Sequence, residues 1–143
     1  LMAQGSAAQQ TLSLEVKAVT KIAVSGNPGS LILSDAAAGS SLLTVQDQST
    51  SYSVTTNLDN MKIVASIDSP MPLGTRLMMN MGSGKGYSSG LVDISSATVP
   101  VDVVTGITKG GELAQPISYV FAADPVVGSI PSQSRVITLT LTN

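Results

Sequence analysis

Two stretches of strict alternation dominate this chain. In TLSLEVKAVTKIAV, from Thr11 to Val24, the apolar residues Leu12, Leu14, Val16, Ala18, Ile22 and Val24 fall on even positions, with Thr20 as the one gap. The odd positions carry Thr11, Ser13, Glu15, Lys17 and Lys21. In RVITLTLTN, from Arg135 to Asn143, Ile137, Leu139 and Leu141 alternate with Thr138, Thr140 and Thr142. A period of two places successive side chains on opposite faces of a strand and cannot make the apolar stripe of a helix. The first stretch is about twice the usual strand length of ~5–6 residues, and would reach ~45 Å at ~3.3 Å per residue. That exceeds one side of a small domain, so its first part needs a sheet to pair with.

The same short period runs through the middle of the chain. LIL (Leu31–Leu33) and LLTVQ (Leu42–Gln46) read as strands, with DQST as a turn after the second. SYSVTTN (Ser51–Asn57) and MKIVASID (Met61–Asp68) alternate on either side of a short polar connection, which predicts a β-hairpin. TRLMMNM (Thr75–Met81), LVDIS (Leu91–Ser95), ATVPVDVV (Ala97–Val104) and ISYVFA (Ile117–Ala122) complete the set, with Pro100 marking an edge. TKGGE (Thr108–Glu112) reads as a turn and ADPVVGSIPSQS (Ala123–Ser134) as a long irregular connection. Short strands with turn signals every ~8–12 residues and no amphipathic helix predict an all-β fold, a two-sheet β-sandwich of 7–9 strands with an extended N-terminal strand. The expected division is an N-terminal extension over residues 1–19 and a sandwich over residues 20–143, with the break at Thr20.

Composition removes several classes of function. Charged residues are 11% of the chain, under half the usual share, and the net charge is -2. The few lysines stand singly, so there is no basic footprint for nucleic acid. The chain has no Cys, His or Trp. Thiolate or imidazole metal sites, a Ser-His-Asp triad and disulfides are thereby excluded. No apolar run reaches the ~18 residues of a membrane helix. Near the start, Gly5 and Ala7 are small residues at the spacing of a signal-peptidase site, so residues 1–7 read as the tail of a secretory signal. A surface rich in Ser and Thr and poor in charge agrees with a secreted, cell-surface protein.

The remaining motifs carry little chemistry. GSGKG (Gly82–Gly86) departs from a phosphate loop, because Gly86 and Tyr87 follow Lys85 and a strand comes next. Asp47, Asp59, Asp68, Asp93, Asp102 and Asp124 are singletons near turns, where Asp is favoured by local backbone bonding, and lack the alternating pattern of a calcium loop. Met71, Met78, Met79 and Met81 read as packing residues. Tyr87, among Gly and Ser, is a possible exposed contact. No catalytic constellation, cofactor site or metal site is expected, and the chain reads as non-enzymatic.

Three parts together, TLSLEVKAV, STSYSVTTNLDNMKIVASID and ISYVFAADPVVGSIPSQSRVITLTLTN, resemble in organisation the secreted bacterial pilins of the chaperone–usher type, including the archaic-pilin and spore-coat-U-like groups. The Cys pair usual in those groups is absent. The resemblance implies an incomplete immunoglobulin-like sandwich whose groove is filled by a neighbour's N-terminal segment, through donor-strand exchange. By position, Leu12, Leu14, Val16 and Ala18 would be the donated side chains, and Ile137, Leu139 and Leu141 would line the acceptor groove. The expected protein is then a homopolymer subunit of an extracellular filament, with itself as partner. The alternative is a monomeric adhesin or carbohydrate-binding sandwich that folds its first strand into its own sheet.

Overall fold

The computed structural model describes residues 4–143; residues 1–3, which open the stretch read as a signal remnant, lie outside it. Among the described residues there are nine strands. They are β1 (Thr20–Val24), β2 (Leu43–Thr56), β3 (Met61–Ile67), β4 (Thr75–Met81), β5 (Tyr87–Ser88), β6 (Val92–Asp93), β7 (Val101–Ile107), β8 (Gly110–Ala123) and β9 (Ile137–Thr142). A 3-10 turn at Pro125–Val127 is the sole helical element described. The strands form two antiparallel sheets, ordered β1-β2-β8-β4-β6 and β5-β7-β3-β9, stacked as a sandwich.

Alternation decides which side chains fill the space between the sheets. β3 buries Met61, Ile63, Ala65 and Ile67, and β4 buries Leu77, Met79 and Met81. β8 adds Ile117 and Tyr119, and β2 adds Tyr52 and Val54. β7 buries the consecutive Val103 and Val104, which strict alternation forbids. A register shift between Ile63 and Val64 in its pairing with β3 makes this possible, since the extra residue of a bulge turns two neighbours to one face. The four methionines are packing residues: Met79 and Met81 are fully buried, Met71 packs against the core, and Met78 is half-buried.

The chain departs from the sequence expectations in several places. The predicted hairpin of Ser51–Asn57 with Met61–Asp68 does not form. β2 and β3 lie in different sheets and face each other across the core. The connection 57–60 arches between layers, with Asn60 in the left-handed region at φ 57° and the half-buried Leu58 closing the end of the core. Alternation is equally satisfied by strands side by side or face to face, and burial of both apolar faces favoured the second. β7 and β8 likewise change sheets across the turn at Thr108–Lys109, and β8 already starts at Gly110.

The DQST turn is instead a bulge inside one 14-residue strand. The ladder of β2 with β8 shifts between Asp47 and Thr50. Asp47 accepts from the Ser49 N–H at 3.0 Å and from its hydroxyl at 2.8 Å, so the local bonding that favours Asp in turns is spent on a kink. LIL forms no strand: Leu31 packs against the core while Ile32 is exposed, in an irregular run of residues 25–42. That run is pinned to β2 by the Gly29 N–H, which donates to Asp47 at 3.0 Å.

Candidate functional site

Residues 4–19 form no strand and are exposed throughout. Leu12, Leu14 and Val16 are 78%, 84% and 87% accessible, and Ala18 is exposed as well. An alternating apolar face lying wholly in water is a cost that nothing within the described chain offsets. The segment leaves the sandwich along the line of β1, whose Thr20 pairs with Thr56 at the end of β2.

One residue holds that point of departure. The Asn57 side chain accepts from the Val19 N–H at 2.7 Å through Oδ1 and donates to the Lys17 carbonyl at 2.9 Å through Nδ2. Its own backbone N–H donates to the Val19 carbonyl at 3.2 Å. The ladder thus runs past the last residue pair of β1 with β2, and Lys17–Val19 are kept in line with the strand. Sequence patterning did not single out Asn57, which reads as one more polar turn residue.

The second feature is a seam along one side of the sandwich. β1 is the edge of one sheet and β9 the edge of the other, and each pairs with a single neighbour among the described strands. They approach within 8 Å, Cα to Cα, without pairing. The inward residues here are only half covered: Ile22 on β1, and Ile137, Leu139 and Leu141 on β9, all packed against the core. Val24 is 53% exposed. β9 is anchored where it starts: Arg135 donates to the Pro70 carbonyl at 2.9 Å, and the Val136 N–H to Asp68 at 2.9 Å.

The opposite side of the sandwich is closed. Residues 94–97 step from one sheet to the other, with Ile94 and Ala97 buried. The Ile94 N–H donates to the Leu77 carbonyl on β4 at 2.9 Å, and the Ala97 carbonyl accepts from Ile67 on β3 at 2.9 Å. One flank is therefore bridged between the sheets by a buried crossing, whereas among the described residues no such crossing bridges β1 and β9.

The other expected residues lie elsewhere. Tyr87 is 75% exposed on β5, remote in chain pairing from β1 and β9. Its ring rests on Gly106, where φ is 62° and an added Cβ would stand 2.9 Å from the ring. The GSGKG loop turns on a residue that sequence reading passed over, the buried Glu112 of β8. Its carboxylate accepts from the Lys85 backbone N–H and the Ser83 hydroxyl. An amide that a phosphate loop would offer to an anion is already held by the protein's own carboxylate. Tyr52 donates its hydroxyl to the Gly82 carbonyl of the same loop.

The electrostatics are sparse. Lys62–Asp102 at 3.2 Å and Lys109–Asp59 at 3.3 Å are exposed pairs, worth at most ~1 kcal/mol each. Asp47 is held below the ordinary carboxylate range by the backbone N–H and hydroxyl of Ser49, with help from the Gly29 N–H. Among the described residues no three His, Cys, Asp or Glu side chains converge as a metal site, and no helix is long and apolar enough to cross a membrane. No family model, curated protein or solved structure matches the chain.

Proposed function

We propose that the protein is a structural subunit of an extracellular bacterial filament, and that Leu12–Val16 of one copy joins the sheet of the next beside β9. The observation that carries this reading is the exposed alternating face of Leu12, Leu14 and Val16, which pairs with no strand among the described residues. The half-covered Ile137, Leu139 and Leu141 of an unpaired edge have the same spacing. Strand addition supplies main-chain hydrogen bonds to the edge, while alternate side chains fill the apolar seam. Such a contact joins two different surfaces, so it propagates into an open fibre unless it closes into a ring.

Three plugs buried at ~1.5–3 kcal/mol each would give a long-lived joint. Pairing with both β1 and β9 needs two strand spacings, ~9.6 Å between them. β1 therefore moves outward on insertion. It is better able to do so than β9, because it holds only Ile22 against the core while β9 holds Ile137, Leu139 and Leu141.

A monomeric adhesin with its first strand in its own sheet is the rival reading. It expects Leu12–Ala18 to be paired within the chain, whereas those residues form no strand. Removal of residues 1–18 separates the two. The strand-donation reading expects a truncated protein that still folds and melts cooperatively but forms no filaments in negative-stain micrographs. Filaments that persist after truncation, or full-length material that remains monodisperse globules, would overturn it.

A further inference from the structure

We infer that Asn57 is a positioning residue that aims the N-terminal segment away from its own seam and towards a neighbour's. The inference rests on the strand-donation reading and adds what keeps a subunit from filling itself. The start of β1 and the end of β9 lie at one end of the sandwich. Thr20 pairs with Thr56, Thr142 pairs with Lys62, and the arch at residues 57–60 joins the strands that carry those partners. A reversal of the chain within Lys17–Val19 would lay Leu12, Leu14 and Val16 along the same molecule's Ile137, Leu139 and Leu141, in that order. Self-insertion is intramolecular and so has the advantage of effective concentration over any second copy.

Asn57 opposes that reversal where the segment leaves the sandwich. One carboxamide bonds Lys17 at its carbonyl and Val19 at its N–H, and the Asn57 backbone takes the Val19 carbonyl. Three bonds over three residues hold the chain extended where a turn would have to form. Asn suits the task because it offers a donor and an acceptor on separate atoms of one planar group; an ionised Asp has only acceptors, Ala has neither, and Ser carries both on a single oxygen. The clamp also leaves only Lys17–Val19 between a donated Val16 and the sandwich that donates it, which makes each joint short and stiff.

Backbone relaxation of the dilute, monomeric protein tests this without filaments. The wild type is expected to show amide order parameters of about 0.85 at Ala18 and Val19, like the strands, and N57A values below ~0.6. N57D keeps the acceptor for the Val19 N–H but loses the donor to Lys17, so Ala18 loosens while Val19 stays ordered. Thermal melting is expected to be nearly unchanged in both variants, which separates aiming from general stability. In assembly, N57A leaves a larger unassembled fraction at equal concentration. A wild type already mobile at Ala18 and Val19, or an N57A variant as ordered as the wild type, would overturn the inference. Wild-type protein that forms no filaments would sink strand donation, with the order parameters still judging the clamp.

Discussion

At the scale of single residues, the buried polar groups say most about how the sandwich is held. Thr50 sits at the bulge of β2, buried, and its hydroxyl is the buried side-chain oxygen without a partner among the described residues. An unpaired buried hydroxyl costs ~1–3 kcal/mol. Thr50→Val keeps the shape and removes the oxygen, so chemical denaturation is expected to show a gain of about 1 kcal/mol. Tyr52 and Tyr119 are both pushed above the ordinary phenol value of 10.0, chiefly by burial, with the Glu112 carboxylate adding to the rise for Tyr52 and Asp47 for Tyr119. A phenol with a raised folded pKa keeps its proton where the unfolded chain has lost it. Its stabilising effect is complete below pH ~10 and is lost as pH climbs from there through the raised value, by up to ~1.4 kcal/mol per pH unit per group. Replacing both with Phe should flatten the fall in stability above pH 10, measured by denaturation at a series of alkaline pH values, whatever it costs at pH 7. Neither Glu112 nor Asn57 could be picked out from sequence. Their importance comes from partners 27 to 29 and 38 to 40 positions away, and no local pattern encodes such a meeting.

At the scale of elements, the same alternating pattern has two opposite fates. Met79 of β4 is fully buried, whereas Leu14 is 84% exposed in the segment before β1. Met79→Ala is expected to cost about 2–5 kcal/mol in monomer unfolding. Leu14→Ser should leave monomer unfolding unchanged and abolish or weaken assembly, because its apolar surface is already in water within one chain. Equal losses of monomer stability from both changes would mean that Leu14 is buried in its own sandwich. Unbroken alternation marked true strands within the sandwich, as in Met61–Ile67, Thr75–Met81 and Ile137–Thr142, while the equally alternating Leu12–Ala18 forms none. Reading failed at irregularities. Asp47–Thr50 looks like a turn because a bulge uses the same residues and the same short-range bonds. Leu31–Leu33 looks like a strand, but three apolar residues without a ladder partner only drape over the core.

At the scale of the whole molecule, the chain is connected by crossings between layers, and among the described strands β1 and β2 are the only consecutive ones that pair, across residues 25–42. The crossing at residues 94–97 bridges one flank with buried side chains and backbone bonds, and among the described residues no equivalent crossing bridges β1 and β9. Truncation of residues 1–18 is the test suited to this scale, because it asks whether the open flank is a defect of one chain or the joint between two. The sequence by itself determined the fold class. Period-two alternation, absent helical stripes and frequent turn residues leave few options besides two packed sheets. It also determined which side chain of each regular strand faces inwards, since that follows from chain geometry alone. Only the tertiary structure decided which strands share a sheet, which edges stay unpaired and that Leu12–Val16 lie free. Those outcomes depend on pairing between distant segments, and alternation is blind to the partner: a strand's face is set locally, but its neighbour is chosen by the packing of the whole chain.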